Sequence, residues 1–119
     1  MTDSTTTGSA TTDTRKHFPR LAEMQALVGQ QLATSPWVTV DQQRINLFAE
    51  ATGDHQWIHV DVERAKAGPY GAPIAHGFLT LSLLPELNAS AMAIDDVKMS
   101  VNYGLNRVRF TGPVPAGSR

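Results

Sequence analysis

The chain has no cysteine among its 119 residues. Disulfides, thiol catalysis and cysteine-ligated metals are thereby excluded, and any chemistry falls to His, Asp, Glu, hydroxyl groups and the backbone. Net charge is also nearly absent, with ten Lys and Arg against eleven Asp and Glu giving −1 at pH 7. No overall field draws nucleic acid or anionic lipid to such a surface, so a polyanion would have to be held by a local cluster. No run of roughly eighteen apolar residues occurs, which argues against a helical membrane span. Residues 1–17 are rich in Thr, Ser and Asp and hold no apolar run. They lack a signal peptide's hydrophobic region and read as a disordered tail. These absences describe a soluble, cytoplasmic protein with neither a nucleic-acid nor a membrane partner.

What is present fits one globular domain over residues 18–119, since 41% of the chain is hydrophobic and its length supports one modest core. Leu21, Met24, Leu27 and Val28 recur at helical spacing before Gly29, predicting a short amphipathic helix over residues 20–28. Residues 36–40, Pro-Trp-Val-Thr-Val, are β-branched and aromatic and predict a short strand. Asp41 is placed to cap a following helix through the N–H of Gln43 or Arg44; Ile45, Phe48, Ala49 and Thr52 line one face, and Gly53 ends it. Asp61 caps a further short helix through Lys66, and residues 68–71, Gly-Pro-Tyr-Gly, form a turn. The loop over residues 54–60 is thus pinned at both ends. Residues 77–88 are apolar on nearly every face, which predicts a helix surrounded by protein, with Pro85 kinking or ending it near its last turn. From Val97 apolar residues alternate with Lys98, Ser100 and Asn102; the phase slips after Leu105, beside Gly104, as one long strand with a β-bulge would show.

The chemistry-bearing stretch is Gly53-Asp54-His55-Gln56-Trp57-Ile58-His59, followed by Ile74-Ala75-His76-Gly77-Phe78. A carboxylate and an imidazole converging on one water can orient it, take its proton and return a proton to the product. By spacing alone Asp54 could equally satisfy loop N–H groups, with His59 packed in the loop. Asp54, His55, His59 and Asp61 are the right residue types for zinc or iron, but their spacing matches no HxxxH helical arrangement. His76-Gly77 opens the apolar helix. The free N–H groups there are aimed donors for a developing oxyanion, and glycine allows close approach; tight helix packing is the alternative reason for a glycine. Lys98, Arg107 and Arg109 are scattered cations that suit a solvated face, or phosphates if the substrate carries them.

These residues resemble a known family. Phe48-Ala49-Glu50-Ala51-Thr52-Gly53-Asp54, His59, Ala75-His76-Gly77, and Arg109-Phe110 with Pro113-Val114 and Gly117 are similar to the MaoC-like dehydratases, the (R)-specific enoyl-CoA hydratase or hydratase 2 group, over residues 30–119. The resemblance implies an α+β hot-dog fold, a curved antiparallel sheet wrapped around a central helix, here the one beginning at Gly77. It implies hydration of trans-2-enoyl-CoA to (R)-3-hydroxyacyl-CoA, or the reverse, in acyl-CoA metabolism. Asp54 and His59 are the implied catalytic pair and the Gly77 N–H the implied donor to the thioester oxygen, with His76 and Trp57 beside the substrate. No metal and no separate cofactor are implied, coenzyme A being part of the substrate, and a homodimer is expected. Gln56-Trp57 stands where the family has Asn-Pro, so Trp57 is expected to reshape the pocket. Family domains continue into further strands beyond the Phe-x-x-Pro-Val segment, so the sheet is expected to be incomplete at the C-terminus. Two other functions remain open on the residues, a hot-dog acyl-CoA thioesterase and a non-catalytic acyl-CoA-binding or dimerisation module.

Overall fold

The structure, a computed structural model, describes residues 12–119. Its organising element is the helix α1, Gln42–Thr52. The Asp41 carboxylate accepts the Arg44 N–H at its start, and Gly53 ends it at φ 81° with its N–H donated to the Ala49 carbonyl. A left-handed terminal residue suits glycine, which has no Cβ to crowd the preceding turn. Ile45 and Ala49, four residues apart, are fully buried. With Val40, Ala75 and Leu79 they form the centre of a small core, to which Phe48, Leu83, Val114 and Ala116 contribute partly. Thr52, expected on the same face, is exposed and its hydroxyl donates to the Phe48 carbonyl at 2.7 Å.

Two short helices follow. α2, Trp57–Val60, carries His59, so the stretch expected as loop contains a helical turn. α3, Val62–Lys66, is capped by Asp61 accepting from the Arg64 N–H, as expected. The apolar stretch from Gly77 forms two helices rather than one: α4, Gly77–Ser82, and α5, Leu84–Ala91. The break at Leu83 lies nearer the middle than the last turn. Pro85 lacks an N–H and its ring crowds the carbonyl four residues earlier, so the ladder is interrupted there and restarts with proline in the first turn of α5.

The strands depart most from expectation. β1, Lys16–Phe18, pairs parallel with β2, Met92–Ile94, so residues read as the end of a tail are ordered and paired. Of the rest of the expected tail, residues 1–11 lie outside the described residues. The expected helix near residues 20–28 is a 3-10 helix, Leu21–Leu27, with no buried residue. Residues 36–40 contribute one antiparallel bridge, Val40 to Ser118. The long alternating segment from Val97 to Phe110 makes no ladder among the described residues, and Met99, Val101, Tyr103 and Leu105 are exposed. Alternation selects the faces of a strand but needs a neighbouring backbone to become sheet. The helix from Gly77 is likewise not enclosed: Leu79 is buried, whereas Phe78 and Leu84 are exposed.

The closing residues form a clasp. Ala75 N–H donates to the Val114 carbonyl and Ala116 N–H to the Pro73 carbonyl, both at 2.8 Å, while Val40 and residues 117–118 exchange two further backbone bonds. This brings residues 109–114 against the start of α4.

Candidate active site

His59 is held from three directions. Its backbone N–H donates to the Gln56 carbonyl, and its own carbonyl accepts the Gln42 side-chain amide of α1 at 2.8 Å. Its ring is buried, with Nδ1 2.7 Å from the Ile74 carbonyl oxygen. A carbonyl only accepts, so Nδ1 carries the proton and Nε2 presents a lone pair, the form a general base requires. The Ile74 N–H donates to the Ile58 carbonyl, fastening the same two segments again.

Asp54 follows the left-handed Gly53 and is exposed, with its carboxylate accepting from the Gln56 N–H at 3.3 Å. One carboxylate oxygen of Asp54, one ring nitrogen of His59 and one of His76 lie within 4.8 Å of one another. Two acceptors at that spacing can share one water at ordinary hydrogen-bond lengths. The acid and the base singled out in the sequence are therefore brought together.

His76 is the other buried histidine. Its Nε2 lies 2.9 Å from the Asp54 backbone carbonyl, and its ring stacks on His59 with centroids 3.9 Å apart and planes at 25°. Both histidines already have a ring nitrogen committed to a backbone carbonyl, Nδ1 of His59 to Ile74 and Nε2 of His76 to Asp54. The four residues first weighed as metal ligands are not assembled: His55 faces Glu50 at 3.7 Å on the exposed side of α1, and Asp61 is engaged as the cap of α3.

A cavity of about 550 Å³ opens beside His59, and Asp54 is not among the residues that line it. His59, Ile74, Ala75 and Gly77 form one wall, Tyr70 and Thr80 contribute to the lining, and Arg109 with residues 110–114 closes the other. Leu79 and Thr80 donate to the His76 carbonyl at the start of α4, leaving the N–H groups of Gly77 and Phe78 as the open donors of that turn. Gly77 is also sterically constrained: a Cβ there would stand 2.5 Å from Cδ2 of Phe110. Both readings of this glycine, donor and close packing, thus meet at one wall.

Neither His76 nor Trp57, both expected beside the substrate, is among the residues lining this cavity. The Trp57 ring lies under the Arg64 guanidinium at 4.3 Å and against Gly68, where a Cβ would meet it at 2.9 Å. Of the three cations, Arg109 joins the wall, whereas Lys98 lines a separate groove beside α5 and Arg107 lines neither. Sequence reasoning missed the Ile74 carbonyl and the closing segment 111–114. The first is a backbone group without a residue signature, and the second was legible only as part of the family resemblance, with no place in a site.

A family described as the MaoC like domain matches residues 23–119. The chain is 57% identical over 102 residues to the 3-hydroxyacyl-thioester dehydratase Z of Mycobacterium tuberculosis, covering 86% of this chain and 68% of that protein. It is 55% identical over 105 residues to the nodulation protein N of Rhizobium meliloti, covering 87% and 65% respectively. Among solved structures, a monoamine oxidase regulatory protein from an Archaeoglobus species superposes with a TM-score of 0.55 at 38% identity. That match covers 67% of this chain and 54% of the other. The chain thus spans about half to two thirds of the length of the proteins it matches.

Proposed function

This chain belongs to the MaoC-like dehydratase domain family, and from that premise we propose that it hydrates trans-2-enoyl-CoA to (R)-3-hydroxyacyl-CoA, or runs the reverse dehydration. Family membership carries with it the α+β hot-dog fold and the dehydratase class. The observation that carries the reading is the convergence of the Asp54 carboxylate and the His59 imidazole within 4.8 Å, with His59 and Gly77 lining one cavity.

In this reading a water sits between Asp54 and His59. The pair takes a proton from the water as its oxygen bonds to C3 and returns one to C2. H and OH add across the double bond, and the two side chains end as they began. The Ile74 carbonyl keeps His59 Nδ1 protonated, so Nε2 is the nitrogen that exchanges the proton. Charge that builds on the thioester oxygen is met by the Gly77 N–H; loss of such a donor typically costs about 3 kcal/mol in the transition state. Arg109, on the cavity wall, is the cation for coenzyme A phosphates. Coenzyme A arrives as part of the substrate, and no separate cofactor enters these steps. The protein acts as a homodimer, in which a second copy covers apolar surface left open by residues 97–110.

The test is loss of the conjugated-thioester absorbance of crotonyl-CoA. Asp54→Asn and His59→Gln should each lower the rate at least about 100-fold, the usual scale of a general acid or base, while the melting temperature stays close to that of the parent. Wild-type rates in both variants would remove the assigned roles. Release of free thiol without hydration would instead identify a thioesterase.

A further inference from the structure

His76 is almost wholly buried, at 2% exposure, and the mechanism above does not use it. Its contacts are unusual for a packing residue. Nε2 faces the backbone carbonyl of Asp54 at 2.9 Å, so that nitrogen must carry a proton to make the bond. Nδ1 is enclosed with no hydrogen-bond partner among the described residues, which leaves it a bare lone pair. One face of the ring lies 3.9 Å from His59. Phe48 of α1 packs at 4.8 Å and 54°. The next residue is Gly77, the first of α4.

We infer that His76 is a positioning residue: its Nε2–H fixes the backbone of Asp54, its ring fixes the plane of His59, and its place before Gly77 ties both to the helix that supplies the oxyanion donor. The inference rests on the hydration reading, whose reacting groups these are. Asp54 needs such a tether. It is exposed and follows a glycine, and among the described residues its carboxylate makes one long bond, to the Gln56 N–H at 3.3 Å. Rotation of the Asp54 peptide would move the carboxylate away from His59 without unfolding anything. The stack supplies the second restraint, because the single bond from Nδ1 to Ile74 leaves the His59 ring free to tilt about that bond.

Two variants of the full chain separate positioning from packing. His76→Phe keeps the aromatic ring and the stack but loses the N–H that holds Asp54. His76→Gln restores an amide N–H near the position of Nε2 and loses the stack. In crotonyl-CoA hydration, kcat of His76→Phe should fall roughly 10- to 100-fold, the scale of a misplaced reacting group, with KM changed by less than about two-fold. His76→Gln should recover about ten-fold of that loss although it melts at the lower temperature of the two. A purely structural role would rank the variants alike in kcat and in melting temperature, with Phe ahead in both, and that result overturns the inference. So does a His76→Phe enzyme with wild-type kcat.

Readouts without activity separate this inference from the functional reading. Long-range 1H–15N spectra should show the His76 proton on Nε2, and amide exchange at His55 and Gln56 should quicken in His76→Phe but not in His76→Gln. If the wild-type chain does not hydrate crotonyl-CoA, the functional reading falls while tautomer and exchange still decide whether His76 holds Asp54. If it hydrates and the exchange pattern is unchanged, the positioning role falls alone.

Discussion

A methyl group added at Gly77 would stand 2.5 Å from Cδ2 of Phe110, yet the outcome is set by where Phe110 can go. Its ring is half exposed and meets Phe78 edge-on at 5.6 Å, so it can swing toward solvent. Gly77→Ala should therefore cost only about 1 kcal/mol, the low end of overpacking penalties. Phe110 lines the cavity, however, and its displacement opens the wall against which substrate binds in the proposed reaction. The expected result is a melting temperature lowered by a few degrees and a KM for crotonyl-CoA raised several-fold, read by thermal denaturation and initial rates. Adding Phe110→Leu should return most of the stability by relieving the contact. An unchanged KM would show that the wall has no part in binding.

At the scale of elements, α1 carries the site. It presents Asp54 just beyond its C-terminus and holds the His59 carbonyl through Gln42. Asp41→Ala removes the carboxylate that accepts the Arg44 N–H. The cost should be about 1 kcal/mol, typical for a lost N-cap, measurable as a lower urea midpoint at constant slope.

The pairing of β1 with β2 is a different kind of device. His17 Nδ1 lies 2.8 Å from Asp95 and Nε2 2.7 Å from Asp13, and Arg15 also binds Asp13. Both ring nitrogens therefore face carboxylates, and the hydrogen bonds to Asp95 and then Asp13 raise the His17 pKa above 6.5. A raised folded value means the contribution is complete below 6.5 and is lost as pH rises through the raised value. Asp13 runs the opposite way. Hydrogen bonds from Arg15, then from His17, hold its carboxyl well below the usual carboxylate range. Its share is complete above 3.8 and is lost as pH falls through the lowered value. The protection of the amides of residues 16–18, corrected for intrinsic base-catalysed exchange, should thus be greatest between these limits and fall on the alkaline side of the His17 titration. His17→Phe should flatten the alkaline limb. Because these groups are exposed, added salt should weaken the effect.

For the whole molecule, the radius of gyration is 18.5 Å, whereas a compact chain of this length would measure about 13.5 Å. Among the described residues, Met99, Val101, Leu105 and a fully exposed Tyr103 of the extended segment 97–110 are left without cover. Apolar surface of that extent favours association. A solution mass of twice 12.9 kDa is expected by light scattering, falling toward the monomer in a Met99→Lys, Val101→Lys double variant. A monomer at all concentrations in the parent would dismiss the homodimer. Among the described residues no helix is long and apolar enough to cross a membrane.

The signals that act over one helical turn were legible in the sequence. Asp41 and Gly53 bound α1 and Asp61 caps α3, because capping and glycine stops are local properties of the backbone. Residues 97–110 show the limit of such signals, since alternation says which side chains share a face but not which backbone will pair with it. What tertiary structure alone decided is how the pair is held. The Ile74 carbonyl that orients His59 and the buried His76 that bonds the Asp54 backbone lie fifteen and twenty-two residues from their partners, and only the docking of residues 74–76 against α2 and the residues before it brings them into reach.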